Sequence, residues 1–425
     1  MGLGYVGLPL ALHFADAGIR VIGLDIDPLK VSALNEGRSY ISHVPSGRVA
    51  EAVAKGLFGA SADAASLAEA DAILICVPTP LTRQQEPDLS YVIATAHAVA
   101  RHLGKGQLVV LESTTYPGTT EGVLREVLET GSGLVAGRDF HLAYSPERED
   151  PGNPMSRIAG IPKVVGGLTP ACRDAAAAIY ARVVQRVVPV SSCRVAEATK
   201  LLENIFRAVN IAMVNELKVV YEAMGIDVWE VIEAASTKPF GFMAFHPGPG
   251  LGGHCIPVDP FYLAWKAREF GRPTRFIELA GEINTAMPLH VVHRTADALN
   301  EDGRPVKGAR VLVLGIAYKP DVDDDRESPG YVLMEELSRR GALVEYHDPH
   351  IPCLKATREH PHWAGKQSVA WCREAVSAFD VVVLVTAHRA VDYDQLADWA
   401  ALVVDTRNVM RGPRREGSRA RIVRA

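Results

Sequence analysis

The pattern Gly2-x-Gly4-x-x-Gly7 constrains the fold more than any other feature of the sequence. Before a helix, the first glycine of such a turn allows a tight bend, the second admits a pyrophosphate, and the third lets helix and strand pack closely. The apolar run 21–24 then ends in Asp25. An acid at this place accepts hydrogen bonds from an adenosine ribose and repels a 2′-phosphate, so the pattern predicts a domain that binds NAD rather than NADP. The alternative is a glycine turn beside a surface aspartate.

Short apolar runs alternate with helical segments in the first half of the chain and again after residue 310. This alternation is typical of parallel sheets that are covered by helices on both faces. The runs that we predict as buried strands are 21–25, 72–77, 108–111, 142–144, 164–165, 310–315, 343–346, 381–385 and 402–404. The predicted fold class is therefore α/β, with a Rossmann-type domain at each end of the chain.

A long helical segment, 195–224, separates the two α/β regions, and a second helical region spans 261–299. The first segment is apolar on more than one side, so neighbouring helices or a second subunit must cover it. We expect a central all-helical domain and a dimer or a dimer-based oligomer. The predicted domains are 1–190 for NAD binding, 191–300 for the central helices and 301–425 for a second nucleotide-binding domain.

The glycine turn should follow a strand, but the sequence begins at the turn itself. That strand would be central in the sheet, and without it the runs 21–25 and 72–77 lose their common neighbour and expose two edges. We therefore expect the natural start to lie upstream, with about ten residues before the first residue of this sequence. The NAD affinity and melting temperature of an extended chain test this expectation.

Composition excludes several classes of protein. The 45 basic and 50 acidic side chains give a net charge of −5, which provides no general attraction to nucleic acid or to an anionic membrane. No apolar run approaches the ~20 residues of a membrane helix, and no signal peptide is recognisable. The six scattered cysteines indicate reduced thiols in the cytoplasm. The basic stretch 411–425 is interpreted as a solvated, disordered tail, with a binding patch as the alternative.

The segment 247–260 has the most unusual composition in the chain. Its four glycines free the backbone to wrap a ligand and offer N–H donors, Cys255 follows at once, and Asp259 lies four residues later. A nearby cation or a set of amide dipoles would lower the pKa of the thiol, so Cys255 is a candidate nucleophile. A metal site is disfavoured because His254 and Cys255 have no companion ligands, and a buried structural cysteine is the other alternative.

Lys200 and Asn204 lie four residues apart near the start of the long helix, so they share one face. A lysine amid so much apolar surface needs a partner or a function. The same spacing fits a pair between Glu197 and Lys200 on a solvated face equally well.

Together these segments resemble the UDP-glucose/GDP-mannose dehydrogenase family along essentially the whole chain. The motifs that carry the resemblance are Gly4-Tyr5-Val6-Gly7-Leu8-Pro9, Val77-Pro78-Thr79-Pro80, Glu112-Ser113-Thr114, Ser145-Pro146-Glu147-Arg148, Glu197-x-x-Lys200-x-x-x-Asn204, Gly252-Gly253-His254-Cys255-x-x-x-Asp259, and Lys319 to Arg326-Glu327-Ser328. The resemblance implies an N-terminal NAD domain, a central helical dimerisation domain and a C-terminal domain that binds the nucleotide sugar. It also implies oxidation of the sugar's carbon-6 alcohol to a carboxylate, a reaction that serves polysaccharide synthesis.

The resemblance assigns roles to individual residues. The catalytic set is Cys255, Lys200, Asn204, Asp259, Glu147 and Thr114. The NAD contacts are Gly2, Gly4, Tyr5, Val6, Gly7, Asp25, Lys30, Pro78, Thr79, Thr114 and Arg326. The substrate contacts are Glu147, Arg148, Lys200, Asn204, Gly252 and Lys319. In this scheme Cys255 forms a thiohemiacetal and then a thioester, and Glu147 is the base for hydrolysis of the thioester.

Within the family, the segment 145–153 and His254 resemble the branch that acts on UDP-N-acetylglucosamine. Arg148 would hydrogen-bond the acyl carbonyl, while UDP-N-acetylmannosamine and UDP-glucose stay open as substrates. Lys319 would meet the pyrophosphate. Arg326 would be a second anion contact or, alternatively, would pair within the acidic run 323–325.

Two other functions also remain open. One is a catalytically silent nucleotide-sugar binder or an inactive truncated product, which would form no NADH, whereas the enzyme would form two NADH per sugar. The other is a single-step dehydrogenase of the hydroxyacid or 6-phosphogluconate type, which would retain full turnover in a Cys255→Ser variant.

Overall fold

The computed structural model describes residues 1–82, 84–148, 160–253, 256–357, 359–412 and 418–425. These residues form two compact units. The first unit comprises Met1–Asn204 and Val258–Pro273, and the second comprises Ile205–Pro257 and Thr274–Ala425. Within the described ranges, no helix is both long enough and apolar enough to span a bilayer.

Helices and strands follow the alternation that the sequence predicts. The helices are α1 (Gly7–Asp16), α2 (Pro28–Asn35), α3 (Ser46–Ala54), α4 (Ser90–Ala100), α5 (Arg125–Ser132), α6 (Pro170–Tyr180), α7 (Cys193–Ala223), α8 (Val228–Ser236), α9 (Asp259–Arg268), α10 (Arg275–Glu301), α11 (Pro329–Arg339), α12 (Arg373–Val376) and α13 (Tyr393–Trp399). The strands are β1 (Val21–Leu24), β2 (Phe58–Ser61), β3 (Ala72–Ile75), β4 (Leu108–Leu111), β5 (His141–Tyr144), β6 (Lys163–Gly167), β7 (Val187–Val190), β8 (Arg310–Leu314), β9 (Leu343–His347), β10 (Val381–Leu384), β11 (Leu402–Asp405) and β12 (Arg421–Arg424).

Several helices start with the same local signal, a capping side chain followed by proline. The side-chain oxygens of Asp27, Thr169 and Ser328 accept hydrogen bonds from backbone N–H groups in the first turns of α2, α6 and α11. Each cap satisfies a donor that has no partner inside the helix, and the following proline loses no hydrogen bond at that position.

The first unit contains two separate sheets. One sheet pairs β1 with β2, and the other has the order β3-β4-β5-β6-β7, in which only the β5–β6 pair is antiparallel. In the described chain, Met1 and Gly2 bridge the sheets: the Met1 nitrogen donates to the Leu74 oxygen (2.7 Å) and Gly2 N donates to the Leu24 oxygen (2.7 Å). Beyond this bridge a small groove runs between Leu24 and Ile73. The presence of a further strand between the runs 21–25 and 72–77 stays a prediction.

The second unit contains one continuous parallel sheet with the order β12-β11-β10-β8-β9. Side chains alternate along β8: Val311 and Val313 pack in a core with α10 and α11, while Leu312 and Leu314 pack on the opposite face. Among the described residues between β7 and β8, the regular elements are the helices α7 to α10. The predicted α/β fold class with central helices is confirmed.

The interpretation of 411–425 as a disordered tail is wrong for its last residues. Arg421–Arg424 form the edge strand β12, in parallel register with β11. The Arg421 guanidinium also donates to Glu301 (2.7 Å) and to the Ala298 oxygen (2.5 Å), so the basic side chains are used in pairing. Charged residues suit an edge strand because they oppose further pairing. Residues 413–417 lie outside the described ranges.

Candidate active site

The N-terminal glycine turn has the geometry that its spacing predicts. Gly2 has φ +84°, and a Cβ there would lie 2.6 Å from the Cys76 oxygen. A Cβ at Gly7, the first residue of α1, would lie 1.8 Å from the Gly2 oxygen. A Cβ at Gly4 would meet no described atom within 4 Å. Gly2 and Gly7 are thus required by packing, whereas Gly4 leaves open space that a pyrophosphate can approach at the start of a helix.

Asp25 lies beside this turn, directly after β1. Its carboxylate accepts hydrogen bonds from Leu3 N (2.9 Å) and Asp27 N (3.0 Å), and the Lys30 ammonium is 3.8 Å away. A carboxyl group with two backbone donors keeps lone pairs for ribose hydroxyls. The turn and the acid therefore fit an adenosine dinucleotide. Tyr5 and Val6 lie in the same turn, with the Tyr5 ring stacked on His43.

Two loops at the carboxyl ends of β3 and β4 are tied together. Thr79, which follows Pro78, donates through its hydroxyl to the Thr114 oxygen (2.7 Å). The Tyr262 hydroxyl of α9 donates to the Thr79 oxygen. This chain of bonds fixes Thr79 and Thr114 against the helix that begins at Asp259.

Lys200, Asn204 and Asp259 form a buried polar cluster. Asn204 Nδ2 donates to Asp259 Oδ2 at 2.5 Å, and each of the three residues is at most 8% exposed. Burial raises the pKa of Asp259 to about 7, although the Lys200 ammonium and the Asn204 amide oppose the rise. A carboxyl group with this pKa can both hold and release a proton near neutral pH. Lys200 and Asn204 lie four residues apart on α7 as predicted, and both are buried rather than solvated.

Glu197 does not pair with Lys200 on a solvated face, as one alternative supposed. Its buried carboxylate accepts hydrogen bonds from Gly118 N (2.6 Å), Thr120 N (2.9 Å) and the Thr120 hydroxyl (2.8 Å). Burial raises the pKa of Glu197 to about 7, against the effect of these bonds. Glu197 therefore anchors the loop after β4 to α7, a function that spacing alone did not indicate.

Glu147 lies after β5, next to a buried lysine that the sequence analysis missed. Lys163 Nζ is 3.3 Å from Glu147 Oε2 and 2.6 Å from Glu112 Oε2. The neighbouring Arg148 is held by Glu203 (2.7 Å) and by the Pro162 oxygen (2.7 Å). Arg148 is thus partly engaged within the protein, so its predicted contact with an acyl carbonyl would use its remaining donors.

In the second unit, the glycine-rich loop packs against the segment that carries Lys319. A Cβ at Gly252 would lie 2.8 Å from the Tyr318 Cβ, and one at Gly253 would lie 2.8 Å from the Tyr318 ring. Gly253 N also donates to the Arg326 oxygen (3.1 Å). These two glycines are therefore required for close packing, and the Gly253 amide is used within the protein rather than offered to a ligand.

Arg326 is paired with a neighbouring aspartate. The Arg326 guanidinium forms a two-pronged pair with Asp324, with Nε 2.7 Å from Oδ1 and NH2 2.5 Å from Oδ2. This is the pairing within 323–325 that the sequence left open; contact of Arg326 with a cofactor or another anion stays a prediction.

Cys255 and His254 lie outside the described residues, so the nucleophile assignment stays a prediction as well.

Comparison with known proteins identifies the family. The NAD-binding, central and UDP-binding domain models of the UDP-glucose/GDP-mannose dehydrogenase family match residues 1–184, 194–286 and 312–412. The chain belongs to this family. It is accordingly an NAD-dependent UDP-sugar dehydrogenase, an oxidoreductase with an N-terminal NAD-binding domain and a C-terminal UDP-binding domain.

Relatives of this UDP-sugar dehydrogenase cover almost its full length. The NDP-N-acetyl-D-galactosaminuronic acid dehydrogenase of Ralstonia nicotianae is 36% identical, over 96% of this chain and 95% of that protein. The UDP-N-acetyl-D-glucosamine 6-dehydrogenase of Pseudomonas aeruginosa is 35% identical, over 91% and 89%. A solved UDP-D-ManNAc dehydrogenase from Pyrococcus horikoshii is 31% identical, with a TM-score of 0.88 over 99% of this chain and 97% of that one.

Proposed function

We propose that this dehydrogenase oxidises the carbon-6 alcohol of a UDP-N-acetylhexosamine to the carboxylate, with UDP-N-acetylglucosamine as its substrate. The buried cluster of Lys200, Asn204 and Asp259 carries the proposal, because it supplies a cation, an amide donor and a carboxyl group of pKa about 7 in one water-poor place. The three relatives above are named for N-acetylated sugars, which supports this substrate class over UDP-glucose.

The first half-reaction converts the alcohol to an aldehyde. The hydroxyl proton passes to a protein base while carbon 6 loses hydride, and NAD, when bound, is the hydride acceptor in both half-reactions. Lys200 and Asn204 donate to the oxygen as it becomes negative. Asp259 takes up and releases the proton, together with water held near Thr114.

The second half-reaction uses Cys255. Its sulfur bonds to the aldehyde carbon and the aldehyde oxygen gains a proton, which gives a thiohemiacetal. Loss of a second hydride and of the hydroxyl proton leaves a thioester. Glu147 removes a proton from water, the water oxygen displaces the sulfur, and the acid and the free thiol result. Overall, one alcohol and one water give one carboxylate, with two hydrides transferred.

A panel of UDP-sugars scored for NADH per sugar tests the function. We expect two NADH per UDP-N-acetylglucosamine, and slower turnover with UDP-N-acetylmannosamine and UDP-glucose. A faster reaction with either competitor reassigns the substrate, and no NADH with any sugar supports a silent binder. Cys255→Ser should lose two-step turnover, whereas the matched variant Cys372→Ser should keep it. Full two-step turnover in Cys255→Ser contradicts the proposal and favours the single-step type of dehydrogenase.

We also infer that two chains pair through α7. Leu202, Phe206, Met213 and Val220 on this helix are each at least 45% exposed, which is unfavourable for apolar side chains facing water. Sedimentation should show a dimer or a multiple of it, and Met213→Glu should weaken the association. A wild-type monomer of unchanged stability contradicts the inference.

A further inference from the structure

A buried charge network lies beside Glu147 in the first unit. Lys163, the first residue of β6, places its ammonium between Glu112, which follows β4, and Glu147, which follows β5. The Tyr180 hydroxyl, at the end of α6, donates to Glu112. The side chains of Lys163, Glu112 and Glu147 are 7%, 0% and 16% exposed.

Within the described residues, the ammonium of Lys163 faces two carboxylates. Burial lowers the pKa of Lys163, but attraction to Glu112 and Glu147 outweighs burial and raises it, so the ammonium keeps its charge. Burial raises the pKa of Glu112, and the charge of Glu147 adds to this rise while Lys163 opposes it. The two carboxylates therefore compete for the same ammonium. A change at Glu112 alters the electrostatic attraction between Lys163 and Glu147.

Other titratable groups face the network from the elements packed on it. They are Cys76 after β3, Tyr180 on α6, His13 on α1 and the Met1 amino group. Burial raises the pKa values of Cys76 and Tyr180, so both stay neutral near pH 7. Burial also lowers the pKa values of His13 and of the Met1 amino group. Lys163, by contrast, is in direct contact with both carboxylates and keeps its charge.

We propose that Lys163 is a positioning residue that divides its ammonium between Glu112 and Glu147 and thereby sets the orientation and charge state of the Glu147 carboxylate. This rests on the function proposed above, in which Glu147 activates water for hydrolysis of the Cys255 thioester. Lys163 itself touches neither substrate nor water in this step. Glu112 and Tyr180 determine how much of the ammonium is available to Glu147.

The test is the pH dependence of thioester hydrolysis, followed by rapid quenching and mass spectrometry of Cys255 in the full enzyme. Glu112→Gln removes the competing carboxylate, so the acid limb of the rate profile should move to lower pH. Lys163→Met leaves Glu147 near Glu112 without a cation, so the limb should move to higher pH. Each shift should be about one pH unit or more. If Glu112 and Lys163 only stabilised the fold, their two variants would not move the acid limb in opposite directions.

A double variant guards against misfolding, because Lys163→Met leaves Glu112 buried without a counter-ion. Glu112→Gln with Lys163→Met removes one charge of each sign, so the site keeps its net charge and a similar size. Its limb should lie at a higher pH than that of Glu112→Gln alone, since the two differ only in the ammonium. If the acid limbs of these two variants lie at the same pH, the inference is wrong.

Glu147→Gln separates failure of the inference from failure of the proposed function. If Glu147→Gln slows hydrolysis and the Lys163 and Glu112 variants keep the wild-type profile, Lys163 is not a positioning residue. If Glu147→Gln leaves hydrolysis unchanged, the proposed base is wrong, and the inference falls with it. Tyr180→Phe is the matched control: it removes the hydroxyl that is bonded to Glu112 but keeps the ring beside Lys163, so it should move the limb by less than either single variant.

Discussion

The same glycine turn occurs once in each unit, but only the first turn is open. Gly2 and Gly315 have φ +84° and +85°, and a Cβ on either would strike the backbone oxygen of a neighbouring strand end, Cys76 or Thr386. Each glycine N–H donates to the last carbonyl of the adjacent strand, Leu24 (2.7 Å) or His347 (2.8 Å). The turn itself therefore does not decide what a Rossmann-type sheet binds.

The two turns differ in the hydrogen bonds to the aspartate that follows the neighbouring strand. Asp25 accepts Leu3 N (2.9 Å), and Asp348 accepts Ile316 N (2.8 Å) in the same way. Asp348, however, is also bonded by Ala317 N (2.9 Å) and by the fully buried His388 ring (3.0 Å).

The residue two positions after the turn glycine differs as well: Gly4 in the first turn leaves open space, and Ala317 in the second is fully buried. The second turn is thus closed by an imidazole and a methyl group, and its acid serves the fold rather than a ribose.

The largest expected effect is on stability at the closed turn. Asp348→Asn removes a buried charge from four donors, namely Ile316 N, Ala317 N, the His388 ring and His350 N, and should lower the free energy of unfolding by about 3–5 kcal/mol. Asp25→Asn, the matched change at the open turn, should cost about 1–2 kcal/mol and raise the KM for NAD. Urea denaturation and NAD kinetics measure both. Equal losses of stability would remove the distinction between the two turns.

The pH dependence of this stability loss sharpens the comparison. Burial would raise the pKa of Asp348, but hydrogen bonds from His388 and from backbone N–H groups outweigh burial and lower it. A lowered pKa contributes stability above the unfolded value of about 3.9, and this stability is lost as the pH falls. The difference between wild type and Asp348→Asn should therefore be widest above about pH 5 and narrow below pH 4. A difference that stays constant from pH 7 to pH 3 contradicts this reading.

A smaller effect is expected from a methyl group at the open turn. Gly4→Ala should fold with unchanged melting temperature, because its Cβ meets nothing in the described structure. The methyl group would occupy the approach of the pyrophosphate, so the KM for NAD should rise about tenfold, or about 1.4 kcal/mol. Gly47→Ala, at another glycine with open space, is the control and should leave the KM unchanged. A normal KM in Gly4→Ala would separate this glycine from NAD binding.

The smallest effect is expected from the reverse change at the closed turn. Ala317→Gly should lower stability by about 1 kcal/mol, because a buried methyl group is lost and the backbone gains freedom. NAD kinetics should stay at wild-type values. Any change in NAD affinity would show that the second turn is less closed than His388 and Ala317 make it.

The sequence predicted most of the fold because its strands are apolar and regularly spaced. It missed β2 and β7, where Phe58-Gly59-Ala60-Ser61 has few strand-forming side chains and Pro189 interrupts an edge strand. It also missed β12. This strand has four residues with an arginine at each end, so its charge suggested a solvated tail and its short apolar pattern did not suggest a strand.

The site shows a similar division. The spacing of the glycines and Asp25 predicted an open turn, since each glycine is needed for a local backbone conformation or a close approach. Lys163 and Tyr262 were not found, and Glu112 was named only as part of a motif, because their contacts join positions far apart in the chain. The fate of Arg326 was undecided for the opposite reason: its partner, Asp324, is so near in sequence that pairing and ligand binding give the same pattern.

Tyr318 provides a mechanical link within the second unit. Its ring bears on Gly253 and neighbours Lys319, whose ammonium lies 5.6 Å from the ring centre. A Cβ at Gly252 or Gly253 would press on Tyr318 and so displace the neighbouring Lys319. The position of this lysine therefore depends on two hydrogen atoms in the glycine-rich loop, where any larger side chain would be felt first by an aromatic ring.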